Sequence, residues 1–507
     1  MKPRLRVRTF SWNPTLPALI ASSISTVWCL ITSNLDKKLP FSIYLYGDSE
    51  LYLLYARSIL SGQPFDSGIP FHPPVAAWTT AGFLSLGVPV VTVKLISGMI
   101  MAAAVTALVW DLVRRRLNAT AGLAASTLVS LSFAIAVILS VPGADGVYLM
   151  LSVLSIRLLL GSTAMTAMRA IPFGAVSALA CLTRGEHLIL IPVYAVLIGY
   201  RSPGASAPGI TAHHRLMRIL RLPWAVYLAT WIIMMSPWMI RNYRVMRAVN
   251  AADRQAGVDM PEFPVVVPVT LYGPLNFALA NSGDGSGGFS RAALPEIGGD
   301  WNIELRNPVH RDWLIRGYRI GARSILSDPR GAWSRIIRKL AIMSGACELG
   351  FTAVSFPTGL SGIRRSVDLF EPDSRWFRWI ILVPAVTGMI LVLRRDRFFG
   401  IVLLIVILHR LLVGMAFFGY VRHGALLLPV VFILVSAPLC HLENTRASPW
   451  MRGAISLILA AGISYHLISH DRMRGFSVDY QVIPGTGQID QQQEIRLHDT
   501  GPMRQTL

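Results

Sequence analysis

A chain of 507 residues with a mean hydropathy of +0.52, 53% hydrophobic and only 15% charged residues lies far from soluble domains, where about a quarter of residues are charged. Apolar runs of about 20 residues recur, each enough to cross a hydrocarbon core, and the short alternating segments of a membrane barrel are missing. The net charge of +20 fits basic loops that set orientation and meet anionic membrane lipid, and no nucleic-acid partner is expected. The expectation is an all-α polytopic membrane protein.

Lys2, Arg4, Arg6 and Arg8 place the N-terminus in the cytoplasm. A first span follows at 16–33, read as an anchor because no small-residue cleavage site ends it. Asp48 and Glu50 then lie on the outer face, at the start of a short helix. Asp48, Tyr52 and Ala56 are four apart and share one side of it; Gly62 closes it, and Pro73-Pro74 after His72 bars its continuation. Segment 75–87 reads as an interfacial or re-entrant helix, and 88–112 as a second span leading to Arg114-Arg115-Arg116 inside. A third span, 119–141, ends outside at Pro142-Gly143-Ala144-Asp145. Spans at 146–162, 171–183 and 187–200 follow, with Cys181-Leu182-Thr183-Arg184-Gly185-Glu186 outside between the last two. The basic segment 201–222 is cytoplasmic, and a span at 223–239 leads out to Arg241-Asn242-Tyr243.

The outer segment 241–335 is too long for a plain connection. Asn307-Pro308 and Asp328-Pro329 each start a helix, and the second carries Arg335, Arg338 and Lys339 on one face. These cations lie outside, against the positive-inside trend, so an anion such as a lipid phosphate is expected to offset them. Spans at 376–393, 398–417, 424–440 and 453–469 complete about eleven, with Arg394–Arg397 inside and Gly419–Gly424 outside. The core is thus 1–470, with outer loops 34–87 and 241–335 forming one face. The polar tail 471–507 is too short for a core of its own. Cys29, Cys181, Cys347 and Cys440 show neither metal spacing nor a disulfide framework.

This topology brings Asp48, Glu50, His72, Asp145, Arg184, Arg241, Arg338, Lys339, Arg422 and His423 to the outer side. Acids beside bases at a membrane surface suit a reaction on a lipid phosphate. A carboxylate takes a proton from a hydroxyl, and arginines hold a phosphate leaving group. The blander readings are also structural: Asp48 as a helix cap, Glu50 as a first-turn acid, Asp145 as a cap, and Arg184 snorkelling to the interface.

The ordered set of Asp48-Ser49-Glu50, Tyr52, Ala56, Gly62, His72-Pro73-Pro74, Asp145, Leu182-Thr183-Arg184, Pro237-Trp238, Arg241-Asn242, the Asn276–Gly288 loop with Asn281, and Arg422-His423 with Pro429 resembles the GT-C class of integral-membrane glycosyltransferases. It is similar in particular to bacterial relatives of dolichyl-phosphate-mannose protein mannosyltransferases and to aminoarabinose lipid A transferases. Ser49 separates two acids that are adjacent in that class, and His423 and Leu426 replace its late Tyr and first Pro. Some members also carry a large C-terminal soluble domain that 471–507 is too short to form.

The resemblance implies inverting transfer of a sugar from a polyprenyl-phosphate donor to a protein, lipid or glycan acceptor. It also implies a bacterial inner-membrane location with the site on the periplasmic face. Asp48 is then the general base, with Glu50 and Asp145 as further catalytic acids. Tyr52, His72, Arg184, Arg241, Asn281, Arg338, Lys339 and Arg422 are then substrate-binding. Members of the class differ in metal dependence; no cofactor is implied with certainty, and a divalent metal is one option through Asp48, Glu50 and Asp145. A lipid or solute transporter and a non-catalytic assembly subunit are the alternative readings.

Overall fold

The computed structural model describes residues 48–65, 68–140, 143–161, 164–201, 222–282, 307–348 and 376–440, with single positions at 16, 19, 20, 23, 288, 294, 303, 305. Every regular element among them is helical. The span at 453–469 and the tail at 471–507 lie outside the described residues, as does nearly all of the span at 16–33. Thr92–Arg116, Pro223–Gln255 and Arg397–Ala416 are long and apolar enough to cross a membrane, and Ala119–Leu131, Ala167–Thr183 and Gly185–Tyr200 are shorter apolar helices. The chain is a multi-pass helical membrane protein.

In chain order, α1 (Asp48–Ser61) and α2 (Val75–Ser85) form the first outer hairpin. Gly62, at φ +71°, ends α1 as its position suggests. Next come α3 (Val90–Arg116), α4 (Ala119–Leu131), α5 (Phe133–Ser140), α6 (Ala144–Leu160) and α7 (Ala167–Thr183). A 3-10 turn, Gly185–Ile189, leads to α8 (Leu190–Tyr200) and α9 (Pro223–Gln255). The outer segment holds α10 (Tyr272–Asn281), α11 (Pro308–Ser327) and α12 (Pro329–Glu348). The last described helices are α13 (Trp376–Arg395), α14 (Arg397–Ala416), α15 (Val421–Ala425) and α16 (Leu428–Ser436).

Three expected spans have different bounds. The one at 119–141 is broken at Ser132, which leaves the helical region (ψ 115°) and whose Oγ accepts from the Ile135 amide at 3.4 Å. The one at 424–440 is divided into α15 and α16, with Pro429 in the first turn of the latter. The chain does not leave the helix at Arg241–Tyr243; α9 runs on to Gln255, because after Pro237 no Gly or Pro interrupts it until Gly257.

The main core is shared by α3, α4, α6, α7, α9, α13, α14 and α16. Close helix approach relies on small residues. At Gly174 on α7 a Cβ would stand 2.6 Å from the Tyr227 carbonyl oxygen of α9, whereas a Cβ at Gly82 on α2 would meet nothing within 4 Å. Gly174→Ala is expected to destabilise by about 1–3 kcal/mol, and Gly82→Ala to be neutral or stabilising by up to about 1 kcal/mol. Denaturant unfolding in detergent separates the two.

One end of the bundle is basic. Arg116 pairs with Asp396 at 2.9 Å, Arg157 with Asp111 at 2.5 Å, Arg395 donates to the Leu117 carbonyl at 2.9 Å, and Arg201 donates to that of Leu159 at 2.7 Å. These are the loops that the sequence assigns to the cytoplasm. At the other end a second apolar cluster, including Ile69, Met246, Phe263, Leu275, Leu314 and Phe418, holds an outer layer built from the end of α9, the 256–271 connection, α10 and α11. Its pins are side chain to backbone. Trp238 Nε1 donates to the Val269 carbonyl at 2.9 Å, Asn242 donates to that of Val267 at 3.0 Å, and Asn250 bonds Phe263 through both its amide groups.

Candidate active site

The strongest charge cluster lies at this outer end. α6 begins at Ala144 and presents Asp145 in its first turn. α7 stops at Thr183, where Arg184 turns to extended backbone (φ −147°, ψ 115°) and the chain tightens into the 3-10 turn carrying Glu186 and His187. α14 brings His409 and Arg410, and α15 brings Arg422 and His423.

Arg184 is the hub, because each guanidinium nitrogen has a partner. Nη1 donates to Asp145, Nε to Glu186 Oε1 at 2.5 Å, and Nη2 meets His423 Nε2 at 2.8 Å. An arginine only donates, so His423 accepts at Nε2 and carries its proton on Nδ1, which is buried with no partner among the described residues. Burial, with Arg184 and Arg422 alongside, holds this imidazole well below its ordinary pKa and therefore neutral.

Glu186 Oε1 also accepts from Arg410 Nη2 at 3.1 Å, and the same nitrogen donates to Tyr148 Oη at 3.0 Å. His409 Nε2 lies 3.0 Å from the Glu186 carbonyl oxygen, and Tyr148 Oη 3.1 Å from His187 Nδ1. Burial alone would raise the Glu186 carboxyl. Arg184 and then Arg410 reverse this and keep it well below the usual carboxylate range. Arg422 lies 3.8 Å from the other Asp145 oxygen and stacks over Tyr420 at 4.4 Å. Three arginines thus face two carboxylates, an excess of one positive charge before any histidine is counted.

The first outer hairpin adjoins this cluster. Tyr52, Ala76 and Ala77 pack with Ala144, the neighbour of Asp145. His72 sits among rings, 6.0 Å from Tyr52, 5.8 Å from Phe65 and 6.1 Å from Tyr272. Tyr272 is also within electrostatic range of Arg184. Arg241 stacks over Trp238 at 4.9 Å and donates to Asn242 Oδ1 at 3.1 Å, beside the hairpin's Gly68. Asp48 and Glu50 form the first turn of α1, and their side chains lie outside the described residues.

Of the residues expected to act together, Asp145, Arg184 and Arg422 meet directly. Tyr52, His72 and Arg241 lie along the adjoining hairpin. Asn281 and Lys339 meet each other, Lys339 Nζ donating to Asn281 Oδ1 at 3.1 Å, while Arg338 is exposed beside them. Among the described residues no three His, Cys, Asp or Glu side chains form a metal cluster, and both Asp145 oxygens face arginines. Cys181, Cys347 and Cys440 are buried thiols outside any disulfide; Cys29 lies outside the described residues. Glu186, Tyr148, His187, His409 and Arg410 were not expected in the site. The available signal was His409-Arg410 inside an otherwise apolar 20-residue helix, since ionisable groups in a span are rare and usually functional.

A family model described as dolichyl-phosphate-mannose-protein mannosyltransferase matches residues 71–241, about a third of the chain. That stretch holds His72, Asp145, Arg184 and Arg241, in keeping with the GT-C resemblance. No curated protein matches the sequence. Among solved structures, the chain is similar to the Archaeoglobus fulgidus oligosaccharyltransferase tethered to an acceptor peptide, at 12% identity and a TM-score of 0.48 over 92% of this chain and 56% of that one. It is also similar to the oligosaccharyltransferase AglB of the same organism in complex with an inhibitory peptide and a dolichol-phosphate, at 12% identity and a TM-score of 0.43, with 92% and 56% covered. The chain therefore spans little more than half the length of these structures.

Proposed function

We propose that this chain is a membrane glycosyltransferase that moves a sugar, with inversion, from a polyprenyl-phosphate donor to a hydroxyl of a protein, lipid or glycan acceptor on the outer face of a bacterial inner membrane. The observation that carries the reading is the arginine cluster, with its excess positive charge, at the end of the bundle opposite the basic cytoplasmic loops. Asp48 takes the acceptor proton. The acceptor atom bonds to the anomeric carbon as the bond from that carbon to the phosphate oxygen breaks, and the electron pair leaves with the polyprenyl phosphate. This leaving group is already a stable anion, so no general acid is required.

Within the cluster Arg184 and Arg410 are committed to carboxylates, and Arg410 is only 3% exposed at its side chain. Arg422 has the longest carboxylate contact, and its side chain is 25% exposed. Arg422 is therefore the cation that reaches the donor phosphate, while Arg184 holds Asp145 and His423 in place for it. Arg422→Gln should raise the donor KM about tenfold or more, the scale of one charge-assisted contact, with a smaller change in kcat. Radiolabelled polyprenyl-phosphate sugars with membrane extract as acceptor give the measurement. A folded wild-type protein that transfers label from no donor, but takes up lipid or solute in proteoliposomes, overturns the assignment in favour of a transporter.

A further inference from the structure

The outer layer contains a second concentration of positive charge that the reaction above does not use. It lies on α12, where Arg335 and Lys339 are one turn apart on the face turned inward. Arg335 is 8% exposed, and its Nε and Nη2 are buried without a hydrogen-bond partner among the described residues. Its nearest carboxylate, on the exposed Asp328, is 3.7 Å from Nη1. That distance and exposure make a weak pair.

Lys339 is fully buried, and among the described residues its ammonium reaches only neutral oxygens, Asn281 Oδ1 at 3.1 Å and the Met415 carbonyl at 3.0 Å. The orientation of Asn281 is fixed, because its Nδ2 donates to the carbonyls of Phe277 and Ala416 at 2.8 and 2.9 Å. A further N–H of Lys339 remains to be placed. The next residue, Ser282, has a buried hydroxyl with no partner among the described residues. Burial and then the neighbouring Arg335 push Lys339 down to about 8, as expected for a cation that lacks a counter-ion.

A buried guanidinium with two idle donors is costly unless something accepts from it. Here a weakly paired guanidinium and an ammonium with no counter-ion among the described residues stand one turn apart, and the hydroxyl belongs to the residue next to the lysine's amide partner. Donors of these kinds are the ones that hold tetrahedral oxyanions.

We propose that Arg335, Lys339 and Ser282 form a phosphoryl-binding site, separate from the Arg184–Arg422 cluster, for the phosphate of a lipid or for free phosphate. This inference does not rest on glycosyl transfer, since a phospholipid headgroup and a polyprenyl phosphate present the same chemistry. The site lies near the cluster without merging with it. Gly419 packs so closely on α12 that a Cβ there would stand 2.5 Å from the Lys339 Cα, and Arg422 follows three residues later.

The test is thermal unfolding and native mass spectrometry of the full chain in maltoside detergent, titrated with dodecyl phosphate and with inorganic phosphate. Wild type is expected to bind dodecyl phosphate and to unfold at higher temperature with it. Arg335→Gln and Lys339→Gln should each weaken this binding about tenfold or more, and Ser282→Ala several-fold. The serine variant removes a hydroxyl that has no hydrogen bond among the described residues, so it is the mildest of the three changes to the fold. Arg422→Gln should leave binding at this site in place, which separates it from the donor site. Stabilisation by dodecyl phosphate alone supports a lipid source, and equal stabilisation by inorganic phosphate supports the site with free phosphate as occupant. A wild type that responds to neither overturns the proposal. So does wild-type binding by both Arg335→Gln and Ser282→Ala, or loss of all binding in Arg422→Gln.

Discussion

Asp48→Asn should reduce transfer by about 10²- to 10⁴-fold, the range for removal of a general base, while the unfolding transition stays at its wild-type position. The substitution is chosen for the place of Asp48 in the fold. Asp48 opens α1, and asparagine is as good a residue at a helix start as aspartate. Any contribution to helix termination survives, and only the proton acceptor is lost. Glu50→Gln, two residues on in the same turn, provides the comparison and should have the smaller effect. The measurement is label moved from polyprenyl-phosphate sugar at saturating donor. Wild-type rates in Asp48→Asn would remove this residue from the chemistry.

Glu186→Ala should be the most damaging single change to stability in the outer cluster, costing about 3–5 kcal/mol. Glu186 is the acid shared by Arg184 and Arg410. Without it Arg410 keeps Tyr148 as its described partner, and a buried charge is left uncompensated. Glu186→Gln retains an acceptor oxygen and should cost less. The effect of pH follows from the lowered pKa of Glu186. A carboxyl lowered on folding adds stability in full above its unfolded value, and that stability is lost only as pH falls below it toward the folded value. The cluster should therefore withstand acid that protonates ordinary carboxylates. Denaturant titrations of wild type and Glu186→Gln at pH 7 and pH 4 measure this: the gap between the two proteins should persist at pH 4.

The gathering of charge at one end of the bundle was legible where charge interrupted hydropathy. Asp145, Arg184 and Arg422 each end an apolar run, so span counting alone placed them on one side, and they meet there. The basic loops at 114–116 and 394–397 were legible for the same reason, and they touch through Arg116 and Asp396. Arg410 was hidden by the reverse effect. One arginine in a run of Leu, Ile and Val hardly alters an average, and nothing local reveals that Glu186 lies opposite, 224 positions away in sequence. The bend at Ser132 was equally silent, because serine in an apolar segment is tolerated in a continuous helix. The far end of α9 was misjudged because hydropathy marks where a helix leaves lipid, whereas helix propensity marks where it stops. Arg, Met and Ala carry it on beyond Asn242.

That continuation gives the molecule a lever. A helix of 33 residues is roughly 50 Å long at 1.5 Å per residue, and a hydrocarbon core of about 30 Å leaves some 20 Å of it projecting. The projecting part is clamped to the outer layer through Asn242, Asn250 and the Asp253–Arg311 pair, and the buried part is braced against α7 at Gly174. Pro237 lies inside the helix between the two; a proline there removes a backbone hydrogen bond and makes a bend point, so the projecting part pivots against the buried part. The outer layer therefore rides on an arm that is jointed at Pro237.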